Sequence, residues 1–150
     1  MVTNQLLHEK LGVVLANTYV TLMMTQNLHW HVTGLHFYGI HKMTQDQYEE
    51  MSQGIDEIAE HMRTLGAQAP SGMKHYSRLS TIDEGEHTLS TTDGSLEHLI
   101  EAHRATRASL EKTMMLAKEL EDAATEDLLV DRIRAHDKHT WMLASSISSV

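Results

Sequence analysis

A chain of 150 residues, 41% of them apolar, can bury one substantial core, but 8 Gly and 1 Pro are too few for a sandwich of many short strands. The absence of Cys excludes disulfides, iron–sulfur clusters, cysteine-ligated zinc and a cysteine nucleophile. A formal net charge of −9 favours cations over nucleic acid as partners, and 12 His indicate metal chemistry based on imidazole and carboxylate. No apolar run approaches the ~18–20 residues of a membrane span, and the start MVTNQLLHEK lacks the features of a signal peptide. We therefore expect a soluble, cytoplasmic protein.

The first half of the chain predicts two long helices joined by a short turn. The first covers about residues 3–33 and ends before Gly34, and the second covers about residues 37–65 and ends before Gly66. The inward side chains are expected to be Leu7, Leu11, Val14, Thr18, Leu22 and Gln26 in the first helix, and Met51, Ile55, Ile58, Met62 and Leu65 in the second. His8, Lys10 and Asn17 are predicted to lie off the first inward face.

The second half predicts a long connection and two further helices. Residues 67–91 contain Pro70 and are long for a loop, unless they cross the bundle and carry a short helix. A third helix is predicted over about residues 92–120, and a fourth from Thr125 as its N-cap. The inward side chains are expected to be Leu96, Leu99, His103, Thr106, Leu110, Met114 and Ala117 in the third helix, and Leu129, Ile133, Thr140, Ala144 and Ile147 in the fourth.

This order of elements indicates the fold class. Two helical hairpins joined by one long crossover are typical of the ferritin-like topology, whereas an up-and-down bundle has short loops throughout. The predicted fold is all-α: a ferritin-like four-helix bundle with a long crossover carrying a short helix between the second and third helices. We expect a single domain over residues 1–150.

The densest group of potential ligands is HWHVTGLHFYGIH, residues 29–41. His29 falls in the last turns of the first helix and His41 in the early turns of the second. If Gly34 turns the chain, these two imidazoles lie at comparable heights on antiparallel neighbours and form half of a transition-metal site. His31 and His36 point elsewhere or lie in the turn. The alternative is that all four are surface or hydrogen-bonded core histidines.

A pair of carboxylates lies on the second helix. Asp56 and Glu60 are four residues apart and therefore share a face, almost opposite the apolar stripe. Such a pair is usually a solvated surface, but two like charges at this spacing are unfavourable unless a cation lies between them. A site between subunits, with histidines from one chain and carboxylates from another, would explain both groups.

Together these motifs resemble the Dps family, the starvation-induced mini-ferritins. Similar to the family's first signature are His29, Trp30, Gly34, Phe37 and His41. Similar to its second are Asp56, Ala59, Glu60, Leu65 and Gly66. DKHTWM, residues 137–142, looks like the family's last-helix segment, so the likeness spans essentially the whole chain.

The resemblance implies a twelve-subunit hollow shell that oxidises ferrous iron with hydrogen peroxide and stores the product, which removes both reactants. It also implies an iron-oxidising centre shared across a two-fold interface. His29 and His41 would come from one subunit and Asp56 and Glu60 from its partner, with Trp30 beside the centre. Zinc or manganese would compete for the same ligands.

The chain departs from the family at three places. Many members have an acidic residue where this chain has Gln45, which leaves the second iron position dependent on a weaker ligand, with Gln45 or His31 assisting. His61 replaces a common arginine. The lysine-rich tail that some members use to bind DNA has no counterpart in the sequence, so DNA binding is not expected at neutral pH.

A further acidic set comprises Asp122, Asp127 and Asp131. Taken alone, this pattern is typical of a solvated first turn of a helix. Their spacing resembles the residues that line the family's three-fold pore, through which iron would enter.

Three other functions compete with this one. A nucleoid protein of the same fold that compacts DNA, with weak ferroxidase activity, is the main alternative. An iron pair inside one subunit requires Glu-x-x-His motifs, and the one present, Glu84 to His87, falls in the crossover. A non-catalytic helical adaptor explains the periodicity but not the motifs. No function is predicted for His8, His75, His87, His98, His103, His136 or His139.

Overall fold

The computed structural model describes residues 2–85 and 91–147. They form five helices and no strand: α1 Val2–His31, α2 Phe37–Thr64, α3 Met73–Leu79, α4 Thr92–Glu119 and α5 Ala123–Ala144. The predicted all-α fold, with a short helix in the crossover, is confirmed. In these two ranges no helix is both long and apolar enough to cross a membrane. His87 lies outside the described residues, so the Glu-x-x-His motif that it completes is described only at Glu84 and Gly85.

The long helices form two hairpins that pack side by side. α1 packs against α2 and α4, α4 packs against α5, and α3 lies against α1. The turn between α1 and α2 passes through Gly34 with a φ of +93°, a conformation that glycine adopts without strain. This turn brings the end of α1 beside the start of α2, which positions the candidate site.

The bundle has an apolar cluster towards each end and a polar layer between them. One cluster includes Leu11, Ile58, Leu110 and Leu129, and the other includes Leu28, Ile40, Leu96 and Leu143. Between them, Thr21 and Thr106 share a hydrogen bond of 2.8 Å, and buried histidines from α4 and α5 lie at the same level.

The interior of the bundle is more polar than the apolar pattern predicted. Asn17 was expected off the inward face but is fully buried, because Thr81 Oγ1 and Ser109 Oγ accept hydrogen bonds from its amide. Gln26 and Ile55 are only half-buried.

The fourth long helix corrects two predictions. α5 begins at Ala123 and its N-cap is Asp122, whose carboxylate accepts hydrogen bonds from Thr125 N and Oγ1; Thr125 was the predicted cap. Its buried face consists of Thr125, Leu129, Arg132, His136, His139 and Leu143. The inward face predicted for this helix was assigned from its apolar residues and is wrong in part. Ile133 is only half-buried and Ala144 is exposed. Polar side chains of α5 are buried because they have partners inside the bundle. A prediction based on apolar residues alone places these side chains on the surface.

Candidate metal centre

The end of α1 and the start of α2 bring His29 and His41 into direct contact. Their rings stack with centroids 3.8 Å apart and planes 15° from parallel. Nδ1 of His29 lies 2.7 Å from the backbone oxygen of His41, and Nδ1 of His41 lies 2.8 Å from the backbone oxygen of His29. The predicted juxtaposition of these two imidazoles is therefore present, and each residue holds the ring of the other.

These reciprocal bonds determine which ring nitrogen can bind a metal. A backbone carbonyl only accepts hydrogen bonds, so Nδ1 of each ring must carry the proton and donate it. In the neutral rings, Nε2 of His29 and Nε2 of His41 then carry the lone pairs. Imidazoles that bind metals commonly have the other nitrogen anchored in this way. The pair is thus prepared to supply two neutral nitrogen ligands.

Three further side chains surround this pair, and of these only Phe37 was singled out from the sequence. Thr44 is buried, and its Oγ1 lies 3.3 Å from Nδ1 of His29. The ring of Tyr48 meets that of His29 edge-on at 5.3 Å, and Phe37 stacks on His41 at 5.0 Å. Spacing indicates them in retrospect, since Thr44 and Tyr48 follow His41 by one and two helical turns.

Trp30 and His31 lie on the outside of the subunit. Trp30 is 66% exposed and lines a surface groove of about 570 Å³ together with Tyr48, Glu49 and Met73. His31 is exposed, and its Nδ1 lies 2.8 Å from the backbone oxygen of Asn27. Neither side chain is enclosed by its own subunit.

The predicted carboxylates do not meet the histidines within one subunit. Asp56 and Glu60 are both exposed, as their position opposite the apolar stripe predicts. Asp56 follows His41 by 15 residues on the same helix, which places it about 22 Å further along the axis. Within residues 2–85 and 91–147 no three His, Asp or Glu side chains are arranged to hold a metal ion. One subunit therefore presents two separate halves of a ligand set.

Gln45 is half-buried on α2, one turn after His41. Its amide Nε2 donates a hydrogen bond of 2.8 Å to Oε1 of Glu49. This bond orients the amide along the outer surface of α2 and brings a carboxylate within one turn of it.

The acidic set at the start of α5 has mixed roles. Asp122 caps the helix. Partial burial acts to raise the pKa of its carboxyl, but several smaller effects, led by hydrogen bonds from Thr125, together leave this pKa below its ordinary value. Asp127 and Asp131 are exposed, and Asp131 pairs with Arg134 at 2.8 Å. Two of the three carboxylates thus already have cationic or hydrogen-bonding partners.

This helical arrangement is that of ferritin-like proteins, and the profile of the Ferritin-like domain family matches residues 8–149. The DNA protection during starvation protein 2 of Bacillus anthracis is 30% identical, over 97% of this chain and 99% of the relative. The antigen TpF1 of Treponema pallidum is also 30% identical, over 94% of this chain and 80% of the relative.

Solved structures agree with these relatives. The crystal structure of TpF1 has a TM-score of 0.91 at 29% identity and covers 98% of this chain and 94% of its own. A Dps protein from Vibrio cholerae O1, described as a member of a broad superfamily of ferritin-like diiron-carboxylate proteins, has a TM-score of 0.90 at 28% identity and covers 98% and 92%. The chain belongs to the Dps family.

Proposed function

We propose that this chain is the subunit of a ferroxidase and iron-storage shell of twelve copies, which consumes ferrous iron and hydrogen peroxide in the cytoplasm. One observation carries the proposal. His29 and His41 present two imidazoles whose Nδ1 atoms are anchored by backbone oxygens. The exposed carboxylates of Asp56 and Glu60 lie about 22 Å and about 28 Å beyond His41 along α2 of the same subunit.

A two-fold axis between subunits would complete the site. In a two-fold interface, each surface of one subunit meets the corresponding surface of the other, so the histidine half of each copy can face the carboxylate half of its partner. Every pair of subunits would then contain two identical sites. The ligands would be His29 and His41 of one copy and Asp56 and Glu60 of the other.

Each of these residues has a role in the proposed reaction. Two ferrous ions each give one electron to hydrogen peroxide, which is reduced to two hydroxide ions, and the two ferric ions move on to the stored mineral. Mixed nitrogen and carboxylate ligands suit iron, and zinc or manganese would compete for them. The carboxylates also offset the charge of the ferric products. Trp30 would lie beside the centre, because it follows His29 and is exposed on the surface of its own subunit.

Iron must also reach the inside of the shell. In the proposed assembly, Asp122, Asp127 and Asp131 surround a three-fold pore, where three copies of each carboxylate would concentrate cations. The exposed positions of Asp127 and Asp131 on α5 support this role, and Asp122 is half-buried at the start of the same helix.

The test separates the two halves of the site. His29→Ala removes the histidine half, and Asp56→Ala with Glu60→Ala removes the carboxylate half. Each protein alone should oxidise ferrous iron with peroxide far more slowly than wild type while remaining assembled. Glu57→Ala is the matched control, because Glu57 is an exposed carboxylate on the same helix. It should retain the wild-type rate.

Co-assembly of the two inactive proteins gives the sharper result. In random pairs, half of the interfaces are mixed, and one of the two sites in each mixed interface has all four ligands. About a quarter of the wild-type rate should therefore return. No recovery in a mixed shell, verified by native mass spectrometry, would show that the halves do not meet between subunits. Wild-type rates in either protein alone would refute the ligand assignment.

DNA binding is a second candidate, because the Bacillus anthracis relative is named for DNA protection. The net charge of −9 opposes it at neutral pH, since affinity for DNA depends on the release of counterions from phosphates by cationic groups. We expect no retardation of plasmid DNA at physiological salt and pH 7.5. Retardation under those conditions would support a nucleoid role.

A further inference from the structure

The hydroxyl of Thr44 lies where the two histidines of the candidate metal centre meet. Thr44 is fully buried on α2, and its Oγ1 is close to three polar atoms. These are the backbone oxygen of Ile40 at 2.7 Å, the backbone oxygen of His41 at 3.0 Å and Nδ1 of His29 at 3.3 Å. The hydroxyl therefore contacts a ring nitrogen of one candidate ligand and the backbone of the other.

The direction of these hydrogen bonds follows from the protons available. A hydroxyl has one proton, and a backbone carbonyl can only accept it. Thr44 therefore donates to the carbonyl of Ile40 or of His41, and a lone pair of its Oγ1 remains to accept from Nδ1 of His29. Nδ1 of His29 also lies 2.7 Å from the backbone oxygen of His41. The proton on this nitrogen is consequently shared between two acceptors.

Two acceptors on Nδ1 fix the orientation of the His29 ring. A half-turn about the Cβ–Cγ bond would exchange Nδ1 with Cδ2 and Nε2 with Cε1. Both hydrogen bonds would then be lost, and a C–H group would replace the nitrogen that can bind a metal. Partners that orient a metal-binding imidazole through its other nitrogen typically change the affinity for metal by about 10- to 100-fold.

The two histidines are held unequally. The described residues provide Nδ1 of His41 with one acceptor, the backbone oxygen of His29 at 2.8 Å. The ring of His41 is half-buried and stacks on Phe37, whereas His29 is buried and has the second acceptor on Thr44. His29 is therefore the more firmly oriented of the two candidate ligands, and the difference between them comes from Thr44.

Other buried threonines show which part of this arrangement is ordinary. Oγ1 of Thr18 donates to the backbone oxygen of Val14 at 2.8 Å, which satisfies the hydroxyl within its own helix. Thr44 makes the same bond to Ile40, four residues earlier, and additionally contacts the ring of His29. The additional contact is what distinguishes Thr44.

We propose that Thr44 is a positioning residue of the metal centre, whose hydroxyl holds the ring of His29 so that Nε2 faces the iron substrate. This inference rests on the proposed function, since the proposed site makes His29 an iron ligand. Thr44 lies on the Nδ1 side of the ring and acts on iron through His29.

The first test removes the hydroxyl by Thr44→Val, which puts a methyl group in its place. Zinc is the probe, because it competes for the same ligands and is not oxidised. Calorimetric titration of the metal-free full-length protein should show a zinc-binding event that is missing in His29→Ala. Thr44→Val should weaken this event about 10- to 100-fold. Thr44→Ser retains a hydroxyl and should retain the wild-type affinity.

The matched control is Thr18→Val, because Thr18 is equally buried and loses the same bond to its own helix. It should leave the zinc affinity unchanged. Thr44→Ala removes the hydroxyl without adding a methyl group in its place, so it covers the case in which Thr44→Val does not fold. It should weaken zinc binding in the same way.

The second test needs neither metal nor activity. NMR of protein with isotope-labelled histidine nitrogens, at alkaline pH where free imidazoles are neutral, identifies His29 by the signal missing in His29→Ala. Wild type and Thr44→Ser should show one tautomer with the proton on Nδ1, and Thr44→Val should show a second ring state.

The outcomes separate the role of Thr44 from the proposed function. An unchanged zinc affinity, or an unchanged His29 signal, in folded Thr44→Val protein would overturn the role of Thr44. Absence of a zinc-binding event that depends on His29 in the wild-type protein would refute the proposed ferroxidase ligands instead. The NMR signal would then decide by itself whether Thr44 holds the ring.

Discussion

Arg132 occupies the space over Gly54 that a larger residue would fill. A Cβ atom on Gly54 would lie 2.6 Å from Nε of Arg132, well inside van der Waals contact. Arg132 reaches across from α5 to α2 and binds both carboxylate oxygens of Glu50, one turn before Gly54. Because Gly54 has no side chain, the guanidinium of Arg132 fits over it. The buried charge of Arg132 can therefore pair with Glu50.

Gly54→Ala should destabilise the protein even though alanine favours helix. The new methyl group displaces Arg132 from Glu50, and overpacking of this kind costs typically 1–3 kcal/mol. Gly39→Ala is the matched control, since Gly39 is also in α2 and an added Cβ meets nothing within 4 Å. It should stabilise by about 0.5–1 kcal/mol. Urea unfolding of the two variants should give changes of opposite sign; equal changes would show that Arg132 moves aside freely.

Asp122 should have separable effects on stability and on iron uptake. Asp122→Ala removes the N-cap of α5 and should cost about 1 kcal/mol in unfolding free energy. Asp122→Asn keeps an acceptor for Thr125 N but removes the charge, so stability should change little while iron uptake by the shell slows. Thermal unfolding and the rate of iron loading measure the two effects. Unchanged loading in Asp122→Asn combined with Asp127→Asn would exclude a pore at this place.

The relative positions of the candidate site residues within one subunit could be predicted, because they depend only on local helix geometry. A glycine turn between two helices fixes the heights of His29 and His41, and helical phase turns Asp56 and Glu60 outward. These relations need only the rise and rotation of a helix. The docking of one subunit on another cannot follow from them, since it depends on surfaces from distant parts of the chain.

The polar layer escaped prediction for a different reason. His103 falls on the predicted inward face of α4, but His136 and His139 do not fall on the stripe assigned to α5. Inside the bundle His136 contacts His103 and His139 contacts Glu50, and such pairing across helices has no period in the sequence. A histidine on an apolar face, with two others three residues apart on a later helix, is the signal that could have indicated the cluster.

Acid should destabilise the metal-free protein as the buried histidines begin to titrate. His103 and His136 stay neutral in the folded chain but gain protons below about pH 6.5 when it unfolds. Stability is then complete above pH 6.5 and falls towards pH 3, by up to about 1.4 kcal/mol per pH unit for each ring. Glu50, with a pKa of about 2 instead of 4.5, adds a loss in the same direction below pH 4.5.

Urea unfolding in the presence of a chelator, repeated from pH 7.5 to pH 5, measures this slope. His136→Gln removes one of the two rings and should reduce the slope between pH 6.5 and pH 5 by about half. His31→Gln, at an exposed position, should leave it unchanged. A flat profile in the wild-type protein over this range would mean that the rings accept protons without unfolding.

Gln45 should limit the second iron position of the proposed site. An amide is neutral, and a hard divalent cation prefers charged oxygen ligands, so one ferrous ion per site should bind well and the second weakly, assisted by water or His31. The hydrogen bond from Gln45 to Glu49 supports this expectation, because it directs the amide group of Gln45 towards a carboxylate of the same helix.

Gln45→Asp should strengthen the second binding event and speed the first phase of oxidation. Gln53→Asp, at an exposed position on the same helix, adds equal charge and should do neither. Titration with ferrous iron under nitrogen measures the stoichiometry, and two equal binding events in the wild-type protein would show that Gln45 imposes no limit.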